Sequence, residues 1–261
     1  MALDTAVAHE PVPATYVIMG REVRLPVEVR DATAAVAYYL VSSSAVQRLL
    51  DPAGLRAASV FPGRTLMTIG AMDYKDGDLG TYHEIGVTFF VHGRDARPLP
   101  LIGTLVGFLR GGVDAYIHRL PVDGEFTREA GCSIWGFPKF MTEIDLTNDG
   151  DTQTAVLRAD GVEVLRQSVD TGGTRSFDAR DQISYAFRDG VLYRTPSVMS
   201  GGEIRAAFRG GSIELGSHPL ADELRSLGLP KRPIFTTYIG KMTATFGAAE
   251  RFDAPPGREL E

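Results

Sequence analysis

Much of this sequence is a succession of short runs rich in β-branched and aromatic residues, cut by turns built from Asp, Asn and Gly. A chain patterned in this way buries itself as paired strands, because few stretches keep the helical period long enough to form an apolar stripe. Leu66 to Tyr74 and Tyr82 to His92 are two such runs, separated by Asp76-Gly77-Asp78. Asp bonds its own backbone and Gly accepts positive φ, so that tripeptide predicts a reversal. Thr142 to Thr147, Thr154 to Arg158 and Val162 to Val169 predict a three-strand meander, hinged at Asn148-Asp149-Gly150-Asp151 and at Asp160-Gly161. Ile234 to Phe246 alternates polar and apolar residues and predicts a long late strand. Only two segments read as helix. Ser44 to Leu50 is stopped by Asp51-Pro52, and Leu220 to Leu227 has Pro219 in its first turn and Gly228 and Pro230 after its end. The expected fold is mainly β: an antiparallel barrel or sandwich with a few peripheral helices, and its many turns fit the 29 glycines and 15 prolines.

The boundaries follow from composition. Residues 1–14, with Pro11 and Pro13, read as a loose arm, 15–252 as a single domain and 253–261 as a frayed tail. The longest apolar run, Leu99 to Leu109, contains Pro100, Gly103 and Gly107 and is too short to cross a bilayer. A net charge of −6 argues against nucleic acid and anionic membrane as partners, since both need a basic face. The single cysteine, Cys132, cannot close an internal disulfide, and no basic segment precedes an apolar one at the start, so a cytoplasmic location is expected.

Chemistry is confined to few places. The sequence has no His-Glu-x-x-His, no paired Cys-x-x-Cys, no phosphate loop and no Gly-x-Ser-x-Gly, so no metal, nucleotide cofactor or serine triad is expected. The cations are mostly arginine, and lysine occurs only at positions 75, 139, 231 and 241. Lysine, unlike arginine, loses its proton in an apolar pocket. Lys139 stands near Trp135, Phe137, Phe140 and Met141, surroundings that should lower its pKa and leave a neutral amine able to attack a ketone. On local pattern alone the ordinary reading is that Lys139 lies along an apolar strand with its head in water.

Gly136-Phe137-Pro138-Lys139 resembles the signature of the acetoacetate decarboxylase family, in which an aromatic-Pro-Lys supplies a Schiff-base lysine. Tyr116-Ile117-His118 is similar to a strand of that family at matching spacing, and Leu79 to Glu84 to the strand bearing its catalytic glutamate. Gly20-Arg21-Glu22 is similar to its N-terminal segment, and His218-Pro219-Leu220 to its C-terminal region. The resemblance implies an antiparallel β-cone with an apolar interior, a homo-oligomer, a small-molecule keto acid as substrate and no cofactor. It also implies Lys139, Glu84 and Arg21 as catalytic residues, with Arg21 holding the substrate carboxylate. Tyr82, which shares a strand face with Glu84, and His118, Trp135, Phe137, Phe140 and Met141 are the expected pocket residues. Whether His118 faces the cavity stays open.

Three departures matter. The family's second lysine, directly after the first, is Phe140 here; the acidic residue one strand before the glutamate falls in Met67-Thr68-Ile69-Gly70; and the Gly-Arg-Glu opening the lysine motif is Gly131-Cys132-Ser133. Decarboxylation of a β-keto acid is therefore expected beside two alternatives: aldol, dehydration or hydration chemistry on the same lysine, and non-catalytic binding of a hydrophobic carboxylate.

Overall fold

A computed structural model describes residues 14–93 and 113–253. The expected arm before residue 14, the tail beyond Asp253 and the run Leu99 to Leu109 lie outside the described residues. The chain opens with a hairpin, β1 (Thr15–Ile18) and β2 (Arg21–Arg24), followed by β3 (Val27–Ser42), helix α1 (Ser43–Leu50) and the short β4 (Arg56–Ala57) and β5 (Ser59–Phe61). Next come β6 (Arg64–Gly77), β7 (Tyr82–His92), β8 (Asp114–Val122), helix α2 (Glu125–Trp135) and β9 (Lys139–Met141). The meander is β10 (Glu143–Asn148), β11 (Thr152–Ala159) and β12 (Val162–Asp170). The long pair β13 (Arg175–Arg188) and β14 (Val191–Phe208), β15 (Gly211–Leu215), helix α3 (Pro219–Ser226), β16 (Phe235–Phe246) and β17 (Glu250–Asp253) complete it.

Seven strands close a barrel in the order β7-β6-β3-β16-β14-β13-β8, with β8 pairing back onto β7. Its neighbours are antiparallel except at β8, which runs parallel to β13 and to the appended β9. The predicted meander forms a separate four-stranded sheet, β10-β11-β12-β15. That sheet and α3 cover the outside of the barrel over β3, β6 and β7. Tyr39, Met67, Ile69, Ile85 and Phe89 point outward into the large core shared with Leu157, Leu165, Ile213 and Leu224. Their neighbours one residue away, Tyr38, Thr68, Glu84 and Thr88, point inward and line a cavity. Period two sends successive side chains to opposite faces, so one strand serves both compartments. Both faces being covered explains why these strands read as nearly unbroken apolar runs. Gln167 crosses the seam between the two sheets, accepting from the Tyr39 hydroxyl at 3.2 Å and donating to the Ile69 carbonyl at 3.1 Å.

The two predicted helices are present. Helix α3 starts at Pro219, with the Leu220 N–H donating to His218 Nδ1 at 3.1 Å, and its apolar side buries Ala221 and Leu224. Helix α2 was not expected, since only Ser44 to Leu50 and Leu220 to Leu227 read as helix. Its buried residues, Thr127, Ala130, Gly131, Ile134 and Trp135, recur at helical spacing, but Gly131 and the β-branched Thr127 weaken that signal.

Helix α3 is tied to the barrel by a charge cluster. His118 Nε2 lies 2.7 Å from Glu223 Oε1, and Arg119 Nη2 lies 2.7 Å from Glu223 Oε2. Burial alone pushes the Glu223 carboxyl up, but hydrogen bonds from His118 and Arg119 outweigh it and bring it down to about 2. A carboxylate depressed on folding stabilises the protein above its ordinary pKa, and that stability disappears as pH falls through the folded value. Glu223→Gln is therefore expected to cost on the order of 2 kcal/mol at pH 7 and little near pH 2. Urea unfolding at both pH values measures this, and an equal loss at both would refute the assignment.

Candidate active site

Helix α2 ends at Gly136, whose φ of 63° is the left-handed cap conformation and whose N–H donates to the Gly131 carbonyl. Gly adopts that conformation without a Cβ penalty, and any Cβ here would sit 2.3 Å from the Tyr193 ring. Pro138 then prevents the helix from resuming, and Lys139 opens β9, paired in register with Leu120 of β8. The Gly136-Phe137-Pro138-Lys139 sequence is thus a helix stop that delivers one lysine to the barrel wall.

Lys139 is 9% exposed and Glu84 5%, and Lys139 Nζ lies 2.8 Å from Glu84 Oε2. Glu84 reaches this point from β7, where it pairs with Met72 of β6 on one side and Val122 of β8 on the other. The remaining polar valences are filled. The ammonium donates to Thr127 Oγ1 at 2.9 Å, and Tyr74 donates its hydroxyl to Glu84 Oε1 at 3.2 Å. Tyr82 stacks on Tyr74 at 4.3 Å between centroids, and its ring centre is 4.9 Å from Nζ. Burial, followed by the Glu84 charge, raises the Tyr74 hydroxyl well above its ordinary range, so it acts as a neutral donor.

The expectation of a depressed lysine pKa is corrected by this geometry. Burial is the largest influence and pushes the Lys139 ammonium down, but Glu84 and Tyr82 together outweigh it, and the net direction is up. The sequence neighbours Trp135 and Phe137 line the same cavity; the group that decides the sign comes from a distant strand.

The pair stands in a cavity of about 630 Å³ that fills the barrel. Tyr82, Trp135 and Phe137 line it with Lys139 and Glu84, while exposed Arg180, Asp181 and Gln182 mark where it opens. Four expected residues are placed elsewhere. His118 points out of the barrel, stacked on Phe89 at 5.1 Å and bound to Glu223, because on β8 it alternates with Ile117, which faces in. Phe140, next to Lys139 on β9, faces away by the same alternation, and Met141 is 45% exposed where β9 ends. A break at Thr142 separates β9 from β10, so Glu143 lies exposed in the other sheet. Arg21 is exposed on β2, its guanidinium carbon 4.0 Å from the centre of the Phe126 ring. The two-residue turn Met19-Gly20, both at positive φ, fixes Ile18 opposite Arg21, and this ribbon packs on α2. Arg21 therefore meets α2 at Phe126, whereas Lys139 meets the same helix at Thr127.

Three site residues escaped the sequence reading. Tyr74 fills the place beside Glu84 where a second carboxylate was sought, but from further along β6 than Met67 to Gly70. Thr127 was hidden with α2. Gly131 is required by the lysine stem, since a Cβ there would stand 2.6 Å from Lys139 Cδ. Gly131→Ala gains roughly 1 kcal/mol of helix propensity yet must displace that stem. It is expected to cut turnover at least tenfold without lowering the melting temperature; unchanged turnover would show that the stem has room to move.

Breaking a buried pair strands its partner. Lys139→Met is expected to destabilise the fold by about 3 kcal/mol, and adding Glu84→Gln to recover most of that. Denaturant unfolding of the single and double variants checks this, and simple additivity of the two losses would contradict it.

A family model described as acetoacetate decarboxylase matches residues 10–252. Comparison with curated proteins finds no match. Among solved structures, an acetoacetate decarboxylase from Legionella pneumophila aligns with a TM-score of 0.63 at 14% identity, covering 96% of this chain and 94% of that one. The enduracididine biosynthesis enzyme MppR, complexed with pyruvate, aligns with a TM-score of 0.63 at 16% identity over 88% of this chain and 91% of that one. An acetoacetate decarboxylase-like enzyme from Sphingomonas wittichii RW1 aligns with a TM-score of 0.53 at 16% identity, over 89% and 95%. At these identities the structural likeness speaks for the fold.

Proposed function

This chain belongs to the acetoacetate decarboxylase family, and from that premise we propose that it is a lyase that decarboxylates a β-keto acid through a Schiff base on Lys139. The observation that carries the reading is the buried amine 2.8 Å from a buried carboxylate inside an apolar cavity. A protonated amine cannot attack a ketone, and the contact with Glu84 offers the remedy. The ammonium passes a proton to the carboxylate, leaving neutral amine beside neutral acid. The amine adds to the substrate carbonyl, and the Glu84 acid returns the proton as water leaves the carbinolamine. The resulting iminium draws in the electron pair of the bond to the carboxylate, and carbon dioxide departs. Protonation of the enamine carbon and hydrolysis of the imine release the ketone and the free lysine. The sum is one keto-acid carboxylate and one proton giving one ketone and one carbon dioxide. Tyr74 and Thr127 hold the two reacting groups in register.

The proposed partners are a small-molecule keto acid and, from family membership alone, further copies of the same chain. A second reading is carbon–carbon bond formation on the same imine. Phe140 standing in place of the second lysine favours it, as does the pyruvate in the MppR structure.

Borohydride added with acetoacetate is expected to fix a reduced adduct on Lys139, with carbon dioxide released in its absence. Glu84→Gln should lower turnover about 10²–10⁴-fold, as loss of a general acid–base group does, and Lys139→Ala should abolish both adduct and gas. Adduct without gas would move the assignment to the second reading. No adduct with any keto acid would remove Schiff-base chemistry altogether.

A further inference from the structure

We infer that the substrate is a keto acid with a long, uncharged, apolar tail rather than a four-carbon acid; this rests on the Schiff-base reading above for the head group only. The cavity measures about 630 Å³. At the roughly 30 Å³ that a water occupies, it holds about twenty waters, and acetoacetate with about seven non-hydrogen atoms replaces only a third of them. The remainder would stay as water against apolar walls, which a matching ligand would displace favourably.

The walls say what that remainder is. Besides Lys139 and Glu84, the cavity is lined by Val29, Ala34 and Val36 of β3, Phe90 of β7 and Phe177 of β13. Met72, Met199 and Met242 join them from three different strands. Unbranched thioether chains adapt to ligands of varying length, which suits a flexible tail better than a fixed small one. Charge excludes a second anionic group on the substrate. Glu28, Asp181 and Arg180 line the cavity as exposed residues, and inside it Glu84 and Asp114 stand against Lys139 alone, so its lining is net acidic. One carboxylate, presented next to the ketone at Lys139, is all the site accommodates; the rest of the molecule must be neutral.

The test uses the purified full-length protein and a series of straight-chain 3-oxo acids from four to twelve carbons. Carbon dioxide release gives kcat/KM, and borohydride trapping at Lys139 reports imine formation. From the transfer free energy of a methylene, kcat/KM should rise about fourfold per added CH₂ until the cavity is full. Val36→Phe, which adds a ring to the middle of the wall, should move the maximum to a shorter chain. Calorimetric binding of the unreactive acids from butanoate to decanoate asks the same question without any chemistry. Tightening along that series supports the tail even if nothing is trapped, in which case only the Schiff-base reading falls. Equal binding of butanoate and decanoate, or acetoacetate matching the longer oxo acids in kcat/KM, overturns the inference while leaving a trapped adduct to support the chemistry.

Discussion

One buried contact, Lys139 with Glu84, sets the terms for everything around it. Two opposite charges taken out of water lose several kcal/mol of hydration each, and their attraction offsets this only when every other valence is filled. The surroundings meet that condition. Thr127 from α2 accepts from the ammonium, Tyr74 from β6 donates to the carboxylate, and Tyr82 from β7 packs its ring beside both. Two stretches distant in sequence, the β6–β7 hairpin and α2 with β9, must therefore arrive at one point. The seven-strand closure achieves this because register between neighbours is fixed by pairing: Tyr74 faces Tyr82, Met72 faces Glu84, and Leu120 faces Lys139.

A barrel that holds an open cavity gives up the core that would otherwise fill it, so its stability has to come from outside. The four-stranded sheet and α3 supply that. The largest buried cluster lies between the outer face of β3, β6 and β7 and residues of β10, β11, β12 and β15, whereas the inner face is left to the ligand. The His118–Arg119–Glu223 cluster belongs to this outer layer. Its histidine stands on a motif-bearing strand, and the cluster is a fastening in space.

The division between what could and could not be read in the sequence has a physical basis. Strand runs, meander and late strand were legible because turn chemistry and period two are local properties. Glu84 and Tyr82 were legible as one face of β7 for the same reason. The lysine was legible through its helix-stopping motif, yet the direction of its pKa was not. Adjacent aromatics are visible in the sequence, whereas the carboxylate 2.8 Å away is brought there only by β7 pairing with β8, the strand that carries β9. The placement of Arg21 and His118 was hidden for a complementary reason. Their segments were recognised correctly, but a helix inserted after β8 and a one-residue alternation decide which side of the wall each side chain occupies.

The upward direction of the Lys139 pKa does not oppose the proposed chemistry, because the reactive state does not require a proton to leave the site. Ammonium with carboxylate and amine with carboxylic acid carry the same number of protons and the same net charge. They differ by one transfer along a 2.8 Å contact. A titration from solution reports the pair as a whole and is silent on where the shared proton sits. The balance within the pair depends on the medium. Water in the cavity favours separated charges, and an apolar tail that displaces that water disfavours them, since the neutral form needs no hydration. A substrate that fills the barrel would thus generate its own nucleophile on arrival. That links the cavity's size to the chemistry at its floor more directly than affinity alone would.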